Sequence, residues 1–446
     1  MKVSNKSVFY LFSLVAILIF YLILSVNIRP IADDYCAAAG SSNGVISYMQ
    51  NLTQTWSGDY LQIFFNGLLV ALPLSKGPLF LLGISTLFLY IALLLLFIYL
   101  ILRKLKLSPR RPSSIAFITA LVLIIWNLYW ALPAAIKWPV FYDRLLDTKE
   151  TFAGVFGWPT VIVQYLIVPL IIVLVSFIRV RRTWLNSLFL ILIGLMIGTS
   201  GYALALAVAV ASGLLFLTYD KSLGFTKTVL LNIGICSGAL ISFASTGAQA
   251  RSELLASSRD NSSLDSIFRW FSVSSLEFIV SIFNVGVLAV ILAGFLLSQH
   301  IDKFFSIDDF MFDNNLVLRS FGIFLAVYYA IISVSEYLTY NAFWHLITFK
   351  SGLFFYFFFL GIFIGDRYKR RFSRISIPEI ALFSFAVALS SCLVVYQTNY
   401  NLVERRNDWS VGSAPLPGIS DISPQNSWVD KCWDKISDQN KYPERD

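Results

Sequence analysis

Two adjacent carboxylates, Asp33 and Asp34, are the side chains best suited to chemistry in this sequence. They follow the first long apolar run, Val8 to Val26. Pro30 lies between that run and the pair, and a proline there indicates that the helix has ended. A carboxylate at the edge of a membrane can take a proton from a hydroxyl group, and a second carboxylate beside it raises its basicity. The pair therefore predicts a general base. A divalent-cation site, a helix cap and a solvated pair are the other interpretations.

The elements that must position this pair are membrane helices. Of the 446 residues, 57% are hydrophobic and 13% are charged, whereas a soluble domain has about 25% charged residues. Apolar runs of about 18 residues or more recur, which predicts a polytopic membrane protein. The net charge of +8 comes mostly from basic clusters in short loops, so it indicates the positive-inside rule and not nucleic-acid binding. Four cysteines without close spacing and two histidines argue against a metal knuckle or a histidine-rich site.

Lysine and arginine orient the spans, because dense basic clusters favour the cytoplasmic side. This rule places the N-terminus in the cytoplasm and the polar C-terminal tail outside. The fold class is an all-α transmembrane bundle, with one domain at 1–396 and an extracytoplasmic tail at 397–446. The eleven predicted spans are residues 8–27, 78–102, 113–133, 158–178, 184–200, 202–219, 228–245, 273–298, 319–340, 351–365 and 378–396.

The apolar segment Leu61 to Leu74 is too short to cross a membrane, since a span needs about 20 residues. If it crossed, the basic run from Arg103 to Arg111 would lie outside, against the charge rule. We therefore predict an interfacial or re-entrant amphipathic helix in the first extracytoplasmic loop.

Two further patterns predict how the helices meet their surroundings. Trp126, Tyr129 and Trp130 fall at the end of the third span and are typical of an aromatic belt at the outer interface. Glycines near the fifth span predict close helix packing and a turn, at Gly194, Gly198 and Gly201.

Cationic side chains on the same outer face could bind an anionic leaving group. Arg251 suits this best, because the planar guanidinium can hold a phosphate with two hydrogen bonds. Lys137, Arg144 and Arg405 are further candidates, although a cation at a membrane edge also anchors a helix without binding anything.

Other polar residues of that face have two interpretations each. Glu336 falls within a span and must be paired or line a cavity. His345 is either an interface residue beside Trp344 or a ligand contact. Cys36 and Cys432 could form a disulfide in an oxidising compartment.

Three motifs give the chain a resemblance to a known superfamily. They are Ala32–Tyr35 after the first span, Trp56–Tyr60 in the first loop and Thr246–Arg251 in a later loop. In type and order they resemble the GT-C membrane glycosyltransferases, and among these the bacterial O-antigen glucosyltransferases and related uncharacterised polytopic proteins. The second motif departs from the family pattern Trp-x-Gly-Arg-Tyr, because Asp59 stands where Arg is usual. The third has Thr and Ala where the family pattern has Pro and Asn.

The resemblance implies a GT-C-type fold and a reaction at the outer face of a bacterial inner membrane. The donor would be a polyprenyl-phosphate sugar, and the acceptor a cell-surface glycan or lipid. Asp33 would deprotonate the acceptor with the support of Asp34, and Arg251 would stabilise the leaving phosphate. No cofactor follows with certainty, and a divalent cation is one option. The outer-face residues expected to contact substrate are Tyr35, Trp56, Asp59, Tyr60, Lys137, Arg144, Arg251, Glu336, His345 and Arg405.

Two functions compete with this one. A transporter or a flippase for a lipid-linked sugar would need polar residues within several spans, and the sequence has few, such as Gln164, Asn232 and Glu336. A non-catalytic subunit of a glycan assembly system would not need the aspartate pair at all.

Overall fold

The chain folds as a bundle of α-helices in the computed structural model. The structure describes residues 5–28, 34, 44–55, 57–73, 80–104, 107–109, 112–135, 156, 159–178, 183–201, 225–249, 275, 279, 282–298, 305–307, 322–323, 325–327, 329, 343–372 and 386–394. The predicted sixth span and the predicted tail at 397–446 lie outside these residues.

The helices are numbered here along the described part of the chain. Seven are regular: α1 is Asn5–Asn27, α2 is Val45–Thr55, α5 is Pro112–Ala135, α7 is Thr183–Gly198, α8 is Phe225–Phe243, α9 is Val285–Ser298 and α10 is Phe343–Phe372. Three contain a π-helical segment: α3 is Tyr60–Asn66 with Gly67–Ala71, α4 is Phe80–Gly83 with Ile84–Phe88 and Leu89–Lys104, and α6 is Pro159–Ile162 with Val163–Ile167 and Val168–Ser176. Residues 386–394 form α11.

Several helices have the length and apolar composition needed to cross a bilayer. Five reach at least 18 residues in the described part: Val8–Val26, Phe80–Ile101, Ser114–Leu132, Pro159–Ser176 and Thr226–Phe243. Shorter apolar helices lie at Tyr60–Ala71, Thr183–Gly198, Val285–Ser298 and Lys350–Gly365. The predicted helical membrane protein is therefore confirmed at this level.

Contacts between helices give their relative directions. The ring of Tyr10 lies 4.6 Å from that of Phe117, and the Tyr21 hydroxyl donates a hydrogen bond to Asn127, so α1 and α5 run parallel. Near the start of α4, a Cβ on Gly83 would lie 1.7 Å from the Ser25 carbonyl oxygen at the end of α1. The helix α4 therefore runs antiparallel to α1 and α5.

A short antiparallel ladder marks one end of the bundle. Its strands are β1, Leu107–Pro109, and β2, Phe305–Ile307, and they follow α4 and α9. We call this the ladder end. The opposite end, where α1 ends and α6 begins, carries the first loop and is called the loop end. The ladder joins segments nearly 200 residues apart in the sequence.

Small residues allow two pairs of helices to touch through their backbones. In the first pair, a Cβ on Gly194 of α7 would lie 2.4 Å from the Leu231 oxygen, and one on Gly198 would lie 2.4 Å from the Ile235 oxygen of α8. In the second pair, Gly294 of α9 meets α10 in the same way, 2.3 Å from the Phe358 oxygen. The predicted close packing is confirmed, and each pair is parallel because later glycines of one helix meet later residues of the other.

The two pairs point in opposite directions. The helices α7 and α8 end at the loop end, with Gly201 forming the predicted turn at φ +121° after α7. In contrast, α9 leads into the ladder, and Gly365 near the end of α10 packs on Ser298 at the end of α9. The basic run that closes α10 therefore lies at the ladder end, together with Arg103 and Lys104 of α4.

The first-loop helices agree with the prediction of amphipathic elements there. The helix α2 buries Tyr48 and exposes Gln50 and Gln54 on its other side. At the start of α3, the Leu61 N–H donates to the Thr199 carbonyl, and further along, the Ser85 hydroxyl donates to the Leu69 carbonyl. Both contacts belong to the loop end, so α3 does not run the length of the bundle.

The aromatic-belt prediction is wrong. Trp126, Tyr129 and Trp130 are 0%, 4% and 3% exposed, and they pack in the centre of the bundle. Their rings meet those of Phe156 and Phe354, with the Trp126 and Phe354 centroids 4.9 Å apart. Aromatic rings gain from such edge-to-face packing as well as from burial, and hydropathy alone cannot tell the two locations apart.

One predicted span needs correction, and another lies within a longer helix. The predicted span 273–298 is interrupted, because the Asn284 side chain accepts a hydrogen bond of 2.9 Å from the Val287 N–H and so caps the start of α9. The predicted span 351–365 is part of a longer helix, Phe343–Phe372. Its charged last turns continue the helix because arginine and lysine have high helix propensity.

Cysteine accessibility can test which end of the bundle faces the cytoplasm. In a cysteine-free background, Gln54→Cys at the loop end is expected to react with an impermeant maleimide in intact cells. Arg370→Cys should react only after permeabilisation, because its basic cluster favours the cytoplasmic side. Ser306→Cys on the ladder is the control and should behave like Arg370→Cys. Labelling of positions 54 and 370 from the same side would contradict the topology.

Candidate functional site at the loop end

The structure describes four of the twelve predicted site residues. Asp34, Asp59 and Tyr60 lie at the loop end, and His345 is in the first turn of α10, which begins at the same end. The other predicted residues lie outside the described part of the chain: Asp33, Tyr35, Trp56, Lys137, Arg144, Arg251, Glu336 and Arg405.

Asp34 is fully buried and is bound to the start of α6. Its Oδ1 accepts a hydrogen bond of 3.0 Å from the Thr160 backbone N–H and a second from the Thr160 hydroxyl. Thr160 is the second residue of α6, where backbone N–H groups have no partner within the helix. Asp34 therefore caps a helix that begins about 125 residues further along the chain.

This contact gives Asp34 a structural role that the sequence did not predict. The helix cap considered at the sequence level was for the next loop helix, whereas the structure joins Asp34 to α6. Hydrogen bonds and a helix N-terminus both stabilise the ionised form of a carboxylate. The two bonds to Thr160 therefore favour Asp34 as an anchor of the first loop.

The second motif has a local arrangement of its own around Asp59. The Ser57 hydroxyl donates a hydrogen bond of 2.8 Å to Asp59 Oδ2, and the Asp59 N–H donates to Ser57 Oγ at 3.2 Å. Asp59 precedes α3 as its N-cap residue, yet its side chain makes no capping hydrogen bond. The carboxylate is thus held by Ser57 and not by the helix that it precedes.

The second and third motifs meet backbone to backbone. A Cβ on Gly58 would lie 1.9 Å from the Ser242 carbonyl oxygen and 2.6 Å from the Ser245 hydroxyl. Similarly, a Cβ on Gly247 would lie 2.7 Å from the Ser57 nitrogen. The two loops can approach so closely only because both positions are glycine.

Ser245 starts the turn that carries the third motif. Its hydroxyl accepts a hydrogen bond of 3.1 Å from the Ala248 N–H, and its carbonyl accepts one of 3.2 Å from the Gln249 N–H. These are the bonds of a serine N-cap followed by a helical turn. The motif therefore leaves α8 through a fixed turn and is aimed by it toward the first loop.

Three helices near the loop end each contain a π-helical segment. They belong to α3, α4 and α6, and side chains bridge them: Ser85 donates to the Leu69 carbonyl at 2.6 Å, and Gln62 donates to the Gln164 carbonyl at 3.4 Å. A π-helical turn widens the helix, and such turns are common near functional sites. No pattern in the sequence indicated them.

Sequence reasoning missed four residues that hold this region together, Ser57, Gln62, Thr160 and Ser245. A local signal existed for Ser57, two residues before Asp59, and for Ser245, just before a helical turn. Thr160 and Gln62 act through partners more than 100 residues away, so no local pattern reveals them.

The possible divalent cation gains no ligand set from the described residues. Among them, no three histidine, cysteine, aspartate or glutamate side chains lie together. Cys236 and Cys392 are exposed thiols on α8 and α11. The predicted disulfide between Cys36 and Cys432 involves residues outside the described part.

Fold and site together define a class: this is a helical membrane protein with a polar, interlocked loop region at one end. Comparison with protein-family models, with curated proteins and with solved structures finds no match to the chain. The likeness to GT-C glycosyltransferases therefore rests on the three motifs, and the activity it implies remains a prediction.

Substitution of Asp34 can test its role as an anchor. Asp34→Ala should lower the stability of the purified protein by about 0.5–2 kcal/mol, the usual effect of losing a helix cap. Asp34→Asn should lose less, because the asparagine oxygen can still accept from Thr160. Thermal unfolding in detergent measures both, with Gln54→Ala in α2 as an exposed control. Equal stability of Asp34→Ala and wild type would contradict the anchor.

Proposed function

We propose that the protein is an integral membrane glycosyltransferase. It moves a sugar from a polyprenyl-phosphate donor to a glycan or lipid acceptor at the extracytoplasmic face of a bacterial inner membrane. The N-terminus lies in the cytoplasm and the C-terminal tail outside. The ladder end faces the cytoplasm, and the loop end faces the acceptor.

The convergence of the three motifs at one end of the bundle is the observation that carries this proposal. The first motif is tied to α6 through Asp34 and Thr160, and α6 accepts a hydrogen bond from Gln62, three residues beyond Asp59. The second motif packs on the third where a Cβ on Gly247 would lie 2.7 Å from the Ser57 nitrogen. Motifs separated by about 200 residues in the sequence thus lie together at one end of the bundle, as the parts of a single site would.

The reaction is a displacement at the anomeric carbon of the sugar. The acceptor oxygen forms a new bond to that carbon, and the bond from the carbon to the phosphate oxygen breaks. The electron pair leaves with polyprenyl phosphate, and the acceptor proton passes to a carboxylate base. The products are the glycosylated acceptor and polyprenyl phosphate, so the reaction needs no oxidant or reductant.

Each group of residues has a role in this scheme. Asp33 is the proposed base, and its neighbour in the sequence, Asp34, is anchored to α6. Arg251 follows the turn at Ser245 and is the proposed ligand of the leaving phosphate. Further cations and aromatic residues of the outer face would bind substrate: Lys137, Arg144, Arg405, Tyr35, Trp56 and Tyr60. Glu336 and His345 would also contact substrate. A divalent cation is an optional cofactor.

Transfer by the purified protein tests the proposal directly. Protein in detergent or nanodiscs is mixed with a polyprenyl-phosphate sugar labelled in the sugar and with membrane glycolipid extract as acceptor. We expect label to move into the extract or, without acceptor, to be released slowly as free sugar. Protein that does neither, with several donor sugars, would contradict an enzyme and favour a non-catalytic subunit.

A flippase for lipid-linked sugars is the second candidate, and one observation favours it. The parallel pairs α7 with α8 and α9 with α10 have opposite directions. Oppositely oriented helix units are a feature of many transporters, whose substrate sites lie between the units. Movement of a fluorescent lipid-linked sugar across proteoliposomes, without change to its glycosidic bond, would support this function over transfer.

A further inference from the structure

We propose that the indole N–H groups of Trp126 and Trp130 bind the phosphate of the lipid-linked sugar donor. This inference rests on the proposed glycosyltransferase function and adds to it two residues that recognise the donor. The sequence pattern assigned these tryptophans to a belt at the membrane surface, whereas the structure buries them in the bundle.

Two hydrogen-bond donors lie unpaired in the interior of the bundle. Trp126 and Trp130 are 0% and 3% exposed, and among the described residues neither indole Nε1 has a hydrogen-bond partner. A buried N–H without a partner destabilises a fold, because its bonds to water are lost and not replaced. A ligand that accepts hydrogen bonds from both groups would restore what burial removes.

The two donors belong to one place on α5. Residues four apart are neighbours on the same face of a helix, and the centroids of the two indole rings are 5.9 Å apart. Both tryptophans lie in the second half of α5, which ends at Ala135 at the loop end. A ligand that binds them is therefore held beneath the end of the bundle where the three motifs meet.

Phe156 connects the two tryptophans to the anchored first motif. The centroid of its ring lies 6.4 Å from that of Trp126 and 5.8 Å from that of Trp130. Four residues further along the chain, Thr160 binds Asp34. The other rings packed on Trp126 belong to α4, α5 and α10, whereas Phe156 precedes α6. Phe156 is therefore the ring that a ligand would displace, since the packed helices can then stay in place.

The chemistry of the two donors favours a phosphate. An indole N–H only donates, so its partner must be an acceptor. Phosphate oxygens are acceptors, and their negative charge strengthens the hydrogen bonds that they receive. Water and sugar hydroxyls must also place hydrogens of their own, and the faces of aromatic rings are weak acceptors for these.

The surroundings favour a phosphate that is attached to a lipid. The ring of Trp126 packs against those of Tyr90 and Phe354, with centroids 6.2 and 4.9 Å away. Such rings provide apolar contacts for a prenyl chain, which gains by leaving water. In this scheme Arg251 supplies the positive charge for the phosphate, and the indoles add two neutral donors to the same group.

Binding of polyprenyl phosphate without its sugar tests the inference apart from catalysis. Labelled polyprenyl phosphate is titrated onto purified protein in detergent, and the polyprenol of the same chain length is titrated in parallel. Trp126→Phe and Trp130→Phe each remove an N–H and keep an aromatic ring. We expect each to weaken binding of the phosphate roughly 10–100-fold, as for a lost hydrogen bond to a charged group. Binding of the polyprenol should change by less than about twofold, because it has no charged oxygen.

Two further variants control this experiment. Trp184→Phe changes a tryptophan that is 61% exposed at the start of α7, and it should leave both affinities unchanged. Phe156→Leu removes the ring that the donor displaces, so it should bind polyprenyl phosphate at least as tightly as wild type. Only monodisperse, folded protein is titrated, because a smaller buried ring also lowers stability.

A second measurement needs no variant. In wild-type protein with ¹⁵N-labelled tryptophan, polyprenyl phosphate should shift two indole N–H resonances downfield, as new hydrogen bonds to an anion do. The polyprenol should leave these resonances in place.

Several results would overturn the inference. They are wild-type affinity for polyprenyl phosphate in both tryptophan variants, indole resonances that do not shift, and weaker binding by Phe156→Leu. Equal losses for polyprenyl phosphate and polyprenol would also overturn it, by giving the tryptophans a packing role. Wild-type protein that binds polyprenyl phosphate through these indoles but transfers no sugar would instead overturn the proposed function and keep the binding site.

Discussion

Replacing Asp33 by asparagine is expected to slow sugar transfer by about 10²–10⁴-fold, the usual effect of losing a general base. Asparagine has nearly the same shape but cannot take the proton from the acceptor hydroxyl. Binding of the donor should be almost unchanged, because the proposed ligand of its phosphate is Arg251. Initial rates with labelled donor, together with donor binding to the purified variant, measure the two effects separately.

Asp34→Asn is the matched control for this prediction. The two aspartates are adjacent, but Asp34 is bound to Thr160 at the start of α6. Its asparagine variant should therefore keep most of the transfer rate and lose some stability. Full activity in a variant with both substitutions would exclude the aspartate pair from catalysis. A larger rate loss in Asp34→Asn than in Asp33→Asn would show that Asp34, and not Asp33, is the base.

Adding a single methyl group at Gly58 is expected to damage the loop region severely. In Gly58→Ala the new Cβ would lie 1.9 Å from the Ser242 carbonyl oxygen, closer than any real contact allows. The obstacle is backbone, so the second motif must move away from the end of α8. We expect a loss of about 1–3 kcal/mol of stability or more, together with loss of transfer. Thermal unfolding in detergent and the labelled-donor assay measure the two effects.

Gly322→Ala is a suitable control for the glycine prediction, because a Cβ at that position meets no atom within 4 Å. It should leave both stability and transfer unchanged. If Gly58→Ala were as stable and as active as Gly322→Ala, the direct contact between the second motif and the end of α8 would be wrong. Stable but inactive protein would show that their separation affects the site alone.

The proposed site combines residues that position its motifs with residues that touch substrates. Asp34 and Gly58 position the motifs, whereas Asp33, Asp59 and Arg251 are the residues proposed to touch substrates. The buried cluster around Trp126 and Phe354 lies beneath the loop end and gives it a rigid base, since tightly packed rings leave little freedom to neighbouring helices. Substitutions in the first group should change stability and activity together, and those in the second group activity alone.

The sequence by itself determined that the chain is a helical membrane protein, and where several of its helices lie. Long apolar runs such as Val8 to Val26 become helices in a membrane because their backbone groups must bond internally. Gly194 and Gly198 predicted a close helix contact, which the structure shows, and the apolar segment from Leu61 to Leu74 predicted a short helix, which is found at Tyr60–Ala71. These features depend on local composition and length, which the sequence contains.

Only the tertiary structure decided what the helices and motifs face. Hydropathy placed Trp126 and Trp130 at the membrane surface, but packing buries them, because lipid and protein interior are equally apolar environments for a ring. The partner of Asp34 is Thr160, and the partner of Gly58 is Ser242, at separations of more than 100 residues. Such contacts depend on which helices pack together, so residue spacing along the chain does not reveal them.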